Sequence, residues 1–268
     1  MARGVALVVG VAIGATLIAL ARLCRLPTAA LLRGLHELIL WCFNLRVHWR
    51  GAAGEALAPP GSAPVLFVAN HVSYLDVFAL GASLDASFTA KSEVAGWPVL
   101  GKLATLQDTL FLRRDPRRAR EQVAVLRTAL RKRSHVLFAE GTSTPGTMVE
   151  PFRSSLLAAA DEAAIVPLTI AYTHYDGEPM TDAERDRYAW YLPMPFGSHF
   201  LHGLGRRAAR VEVTVHQPVT LAEFGLTGAG RKACAQHCET VVRGALLNSL
   251  GLEREIVPTH YLEATGRG

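Results

Sequence analysis

Cysteine is scarce here: Cys24, Cys42, Cys234 and Cys238 are the whole complement in 268 residues. Thiols so few and so scattered build no disulfide framework, which fits a reducing compartment. Cys234, His237 and Cys238 stand close together, but no second pair of ligands follows, and the same spacing sits naturally on one helix. The cluster therefore reads as structural, with metal binding the lesser alternative. No Gly-x-Ser-x-Gly elbow follows any predicted strand, which disfavours a serine hydrolase. No internal repeat or low-complexity tract stands out, and no recognised nucleic-acid motif or aromatic interleaving accompanies the basic residues. Charge is missing altogether from Gly4 to Ala21.

That uncharged stretch is membrane-seeking. As a helix it would extend roughly 27 Å, close to the hydrocarbon core of a bilayer, and Arg3, Arg22 and Arg25 flank it. Ala19-Leu20-Ala21 resembles a signal-peptidase site, yet the apolar run is longer than a signal peptide carries, so retention is favoured over cleavage. Pro27 opens a second apolar stretch, to Phe43, in which Arg33, His36 and Glu37 cluster within about one turn; this reads as an amphipathic, interfacial helix. The expectation is a membrane-associated helical hairpin over residues 1–45, either spanning or lodged in one leaflet. One domain over 46–250 and a polar tail over 251–268, without an assigned role, complete the division.

Half of the residues are apolar, enough for one sizeable core. From Val47 onward strand-like runs alternate with helical spacing: Val65 to Ala69, Ser87 to Ala90, Thr109 to Leu112, Val136 to Ala139, Ile165 to Tyr172 and Val211 to Val215. This is an α/β plan. Pro116 opens a helix to Lys132, and a last helix is expected from Arg231 to Leu250. Residues 113–133 hold nine Arg or Lys against Asp115 and Glu121, a local net of +7 in a chain whose net charge is +5. Such a face suits anionic headgroups, coenzyme A phosphates or an acidic carrier protein, or is simply a solvated helix face.

The chain is organised around Pro64 to Asp76, a short apolar strand that ends on a polar turn. The strand delivers His71 to its exit, Ser73 is placed to cap the next helix, and Asp76 falls in that helix's first turn, within reach of the imidazole. A His so oriented can take a proton from a bound hydroxyl while the carboxylate fixes its tautomer. The plain alternative is a helix-capping His beside an Asp at a helix start. Phe138-Ala139-Glu140-Gly141-Thr142 follows another buried strand and should open on the same sheet edge, where Gly141 permits close backbone approach.

Taken together, Asn70-His71-x-Ser73-x-x-Asp76, then Phe111-Leu112-Arg113-Arg114, then Phe138-Ala139-Glu140-Gly141-Thr142-Ser143, then Val166-Pro167 resemble, in order, the four blocks of the glycerophospholipid acyltransferase family. The resemblance runs from about Val47 to Val242. It implies a mixed central sheet flanked by helices and an O-acyltransferase that moves a fatty acyl group from an acyl carrier protein or coenzyme A thioester to the hydroxyl of a lysolipid. His71 and Asp76 would be catalytic; Lys91, Arg114, Glu140, Gly141, Thr142 and Arg153 would bind substrate. No metal or bound organic cofactor is implied, and the expected place is the cytoplasmic face of the bacterial inner membrane. Backbone N–H groups near the His71 turn are expected to hold the oxyanion. A non-catalytic lipid carrier, with His71 and Asp76 merely structural, is the other alternative.

Departures from the family pattern bear on the acceptor. Relatives acting on phosphate lipids usually have Arg where this chain has Ser143, Asp where it has Arg113 and Pro where it has Ala139. With Ala90-Lys91-Ser92-Glu93-Val94-Ala95-Gly96-Trp97-Pro98 and Tyr188-Ala189-Trp190-Tyr191, the sequence looks like the branch that acylates lyso-ornithine lipid; the alternative acceptor is 1-acylglycerol-3-phosphate.

Overall fold

The computed structural model describes residues 2–51, 63–98, 100–113, 115–191, 193–204 and 206–266. Its strands are β1 (Leu45–Gly51), β2 (Leu66–Ala69), β3 (Ala86–Lys91), β4 (Leu110–Leu112), β5 (Ser134–Phe138), β6 (Ile165–Tyr175), β7 (Glu178–Pro179) and β8 (Ala209–Val215). They form one mixed sheet in the order β1-β8-β6-β2-β5-β3-β4, with β7 pairing on β6. The run from β6 through β2, β5 and β3 to β4 is parallel, while β8 is antiparallel to β6 and parallel to β1. The helices are α1 (Ala2–Leu23), α2 (Ala29–Cys42), α3 (Leu75–Gly81), α4 (Leu100–Leu106), α5 (Ala119–Leu130), α6 (Asp182–Asp186), α7 (Phe196–Gly203), α8 (Leu221–Phe224), α9 (Gly228–Leu250) and α10 (Thr259–Thr265).

Alternation along the buried strands divides the core in two. Phe67, Ala69, Val136, Ile170 and Tyr172 face α3 and the N-terminal helices, whereas Leu66, Val68, Leu137 and Ala171 face α5 and α9. Because both faces of β2 are covered, all four of its residues are buried, and it reads in sequence as a continuous apolar run rather than an alternating one. It lies parallel between β5 and β6, with Ala69 in register with Phe138 and Leu168. The polar turns after β2 and β5 therefore leave the sheet side by side. Asn70 carries the ladder one step past the end of β2: its amide accepts from Ile170 N–H (2.8 Å) and donates to Ile170 O (2.9 Å), so a side chain takes the place of a peptide.

The two N-terminal helices form the expected hairpin. Gly10 and Gly14 fall one turn apart on α1, facing Leu38 and Leu35 of α2, and a Cβ at Gly14 would stand 3.2 Å from Leu35 Cδ1. This is the small-residue spacing that lets two helices approach closely in an apolar medium. α1 is long and apolar enough to cross a membrane, and Val5, Val8, Ile13, Leu20 and Leu23 on it are exposed. α2 is amphipathic in the other sense, burying Leu35, His36, Ile39 and Leu40, with His36 edge-on to Phe78 of α3 at 5.7 Å.

Three expectations are corrected. β1 was not anticipated as a strand: at the sheet's edge its burial alternates, and Arg46, His48 and Arg50 interrupt the apolar pattern. Residues 251–266, read as a polar tail, carry α10, which buries Tyr261 against the core. The basic helix is partly neutralised, because Arg127 pairs with Asp161 (2.8 Å), Arg131 with Glu162 (3.2 Å) and Arg133 with Asp85 (2.6 Å). Cys234 and Cys238 point into the core from α9, and the His237 ring lies against Phe224 at 5.4 Å.

Candidate active site

The turn from Asn70 to Tyr74 brings His71 and Asp76, the candidate pair, together over five residues. His71 Nδ1 lies 2.9 Å from Asp76 Oδ2, with the Asp76 side chain fully buried and that of His71 21% exposed. The same carboxylate oxygen accepts from the N–H groups of Val72 (2.7 Å) and Ser73 (3.0 Å), and Oδ1 accepts from the Tyr172 hydroxyl (2.9 Å). Four donors satisfy a carboxylate that would be costly to bury alone. Burial and the adjacent Asp76 hold the Tyr172 phenol well above its ordinary range, so it remains a donor. The His71 ring stacks on Phe138, with centroids 4.0 Å apart and planes at 20°. With Nδ1 on Asp76, Nε2 is the nitrogen left for a substrate proton.

His71 lines a cavity of about 800 Å³ that extends between α3, α4 and the ends of β3, β4 and β5. Its lining includes the apolar Val77, Phe78, Phe88, Leu100 and Leu103 and the polar Lys91, Thr142, Ser143 and Arg153. Trp97 and Trp190 meet edge-to-face at its rim, 5.6 Å between centroids. Gly141 has φ +70°, and a Cβ there would come within 2.9 Å of Arg153 Nε, so glycine admits both the turn and the guanidinium.

A family model described as Acyltransferase matches residues 52–173. The lyso-ornithine lipid O-acyltransferase of Rhodobacter capsulatus is 40% identical over 187 residues, 67% of this chain and 64% of that protein. The enzyme of the same name from Brucella abortus is 35% identical over 232 residues, covering 82% of this chain and 83% of its own length. This chain belongs to the acyltransferase family. The acyltransferase also shares its fold with the crystal structure of the 1-acyl-sn-glycerophosphate acyltransferase of Thermotoga maritima, with a TM-score of 0.57 at 20% identity over 82% of this chain and 79% of that one.

Of the residues the sequence singled out, the acyltransferase brings His71, Lys91, Gly141, Thr142 and Arg153 to one cavity, with Asp76 directly behind His71. Glu140 departs from the expectation of acceptor contact. It is 2% exposed, and its carboxylate accepts from His71 N–H (2.5 Å) and Glu150 N–H (2.6 Å), tying the His71 turn to the loop at residue 150. Burial raises its carboxyl well above the usual range, partly offset by those two N–H groups. Arg114 lies outside the described residues.

Two further expectations give way. Ser73 does not cap α3; Tyr74 holds the N-cap position without a side-chain bond, and Ser73 Oγ is buried without a hydrogen-bond partner among the described residues. The oxyanion cannot use the N–H groups of His71, Val72 or Ser73, since Glu140 and Asp76 already take them. Sequence reasoning also missed Tyr172 and Phe138 as partners of the pair. Tyr172 ends a predicted strand, and a tyrosine buried there needs a partner for its hydroxyl, which was the available signal.

Proposed function

We propose that the chain is a lysolipid O-acyltransferase that esterifies a membrane lysolipid from an acyl thioester, with lyso-ornithine lipid as the acceptor. The observation that carries this is a pinned imidazole, Nδ1 on a buried carboxylate, lining a cavity whose walls hold both apolar side chains suited to an acyl chain and polar ones suited to a headgroup. His71 Nε2 takes the acceptor's hydroxyl proton as the oxygen bonds to the thioester carbonyl carbon. Asp76 compensates the imidazolium, with Tyr172 and two peptide N–H groups holding its charge in place. When the tetrahedral intermediate collapses the C–S bond breaks, and the thiolate recovers the proton from His71. Lys91 and Arg153 line the cavity and supply positive charge for the headgroup acid or the developing oxyanion.

The donor is an acyl carrier protein or coenzyme A thioester, entering near α5, where Asp115, Ala119 and Gln122 line the cavity. The reaction is placed at the cytoplasmic face of the bacterial inner membrane, with α1 embedded and α2 beneath the catalytic domain. A second acceptor, 1-acylglycerol-3-phosphate, is favoured by one observation, the exposed Arg153 in the cavity lining. A thioester-consumption assay with and without lysolipid tests the proposal. New ester that depends on the acceptor is expected; free fatty acid would indicate a hydrolase, and neither product a carrier.

A further inference from the structure

The last segment of the chain is fastened to the loops that frame the catalytic turn. Glu255 Oε1 accepts from Val149 N–H (2.7 Å) and from Arg243 Nε of α9 (2.9 Å). Ile256 N–H donates to Thr147 O (3.3 Å), and the Thr147 hydroxyl returns a bond to Ile256 O (2.5 Å). α10 then places Tyr261 in the interior, 2% exposed, its hydroxyl donating to Glu150 Oε1 at 2.9 Å. Glu150 is also buried, and its own N–H holds Glu140, whose other oxygen holds the His71 peptide. A continuous path thus runs from the C-terminal helix to the backbone of the catalytic histidine.

We propose that Tyr261 is a positioning residue for His71, acting through Glu150 and Glu140. The proposal rests on reading His71 as the base. The physical reason is the cost of a buried carboxylate that loses an O–H donor. Glu150 deprived of Tyr261 turns toward other donors and carries its peptide with it, and that peptide is one of the two that fix Glu140. A displacement of about 1 Å at a catalytic base is enough to cost on the order of 100-fold in rate. Were Tyr261 only an aromatic packing element, its ring against Tyr191 at 5.6 Å would do all the work and phenylalanine would serve equally.

Tyr261→Phe in the full-length protein separates the two. The expected result is a kcat at least tenfold lower, with KM for both substrates within twofold and little change in melting temperature. In Tyr261→Phe/Glu150→Leu the carboxylate that lost the phenol O–H is gone while the residue-150 N–H still reaches Glu140, so kcat should recover to within about threefold of wild type. Amide hydrogen exchange at residues 71 and 150 should quicken in the single variant, a readout that needs no turnover. If the wild type itself forms no ester, the function reading fails and the exchange data still judge the tether. Unchanged kcat and exchange in Tyr261→Phe, or a loss that follows melting alone with normal turnover per folded molecule, would overturn the proposal.

Discussion

At the scale of single residues, the contact between His71 and Asp76 was legible because it is local. His71 and Asp76 are five residues apart, and a strand-turn-helix brings them to 2.9 Å without help from distant sequence. Tyr172, 96 residues beyond Asp76, was not legible, because only the parallel pairing of β2 with β6 sets it behind the carboxylate. His71→Ala should abolish ester formation with the folded fraction unchanged by circular dichroism. Tyr172→Phe removes a bond to a charged acceptor worth about 1.5–3 kcal/mol, and steady-state kinetics should show kcat lowered about tenfold or more with KM little changed. A second residue-scale effect concerns acid stability. His135, buried on β5, has its pKa lowered to about 4 by desolvation and then by Arg133. In the unfolded chain it titrates near ~6.5, so between those values the unfolded state binds the extra proton and stability falls as pH drops. Denaturant midpoints at pH 7 and 4.5 should differ by an amount equivalent to about 1–3 kcal/mol, and His135→Leu should remove that part of the slope.

At the scale of elements, the central strands were legible because burial on both faces writes them as continuous apolar runs bounded by turn residues. β1 and α10 were not, since one is an alternating edge strand and the other is held by Tyr261 and by polar bonds of residues 255–256 to loops a hundred residues away. The N-terminal hairpin was legible in outline, but its two helices are not equivalent. α1 exposes its apolar side chains and is fixed by the Gly10 and Gly14 face and by Arg22, which pairs bidentately with Asp108 at 2.9 and 2.8 Å. α2 covers α3, the helix that carries Asp76. Deletion of residues 2–23 should therefore leave a folded catalytic domain that partitions less into membranes and acylates bilayer-embedded lysolipid poorly, while retaining turnover in detergent micelles. Deletion of residues 1–45 uncovers Phe78 and Leu80 of α3 and the Tyr74 and Phe200 rings that pack on Phe43, and should lose soluble folded protein altogether. Flotation with vesicles and thermal melts of the two truncations check both halves; equal folding of the two would show that α2 is only an anchor.

At the scale of the whole molecule, headgroup choice depends on how separate loops meet over the cavity. Ser143 stands where phosphate-directed relatives place Arg, but it is more than a missing charge. Its hydroxyl donates to Trp190 O at 2.5 Å, and Trp190 N–H donates to Val72 O at 2.9 Å, so one residue of the aromatic segment ties the loop after β5 to the turn after β2. An Arg at 143 would bring a fork able to bind two phosphate oxygens, yet it would also break that tie. An ornithine headgroup, with one carboxylate and a compensating ammonium, asks for less positive charge than a phosphate monoester. Lyso-ornithine lipid should accordingly be acylated with a higher kcat/KM than 1-acylglycerol-3-phosphate when both compete in one vesicle preparation. Ser143→Ala breaks the tie without adding charge and should lower both rates by a similar factor, leaving the ratio unchanged. Ser143→Arg should lower turnover of lyso-ornithine lipid and narrow the ratio through the added charge. A clear preference of the unaltered protein for the phosphate lipid would mean that Arg153 and Lys91 suffice for a phosphate, and that position 143 serves the Trp190 tie alone.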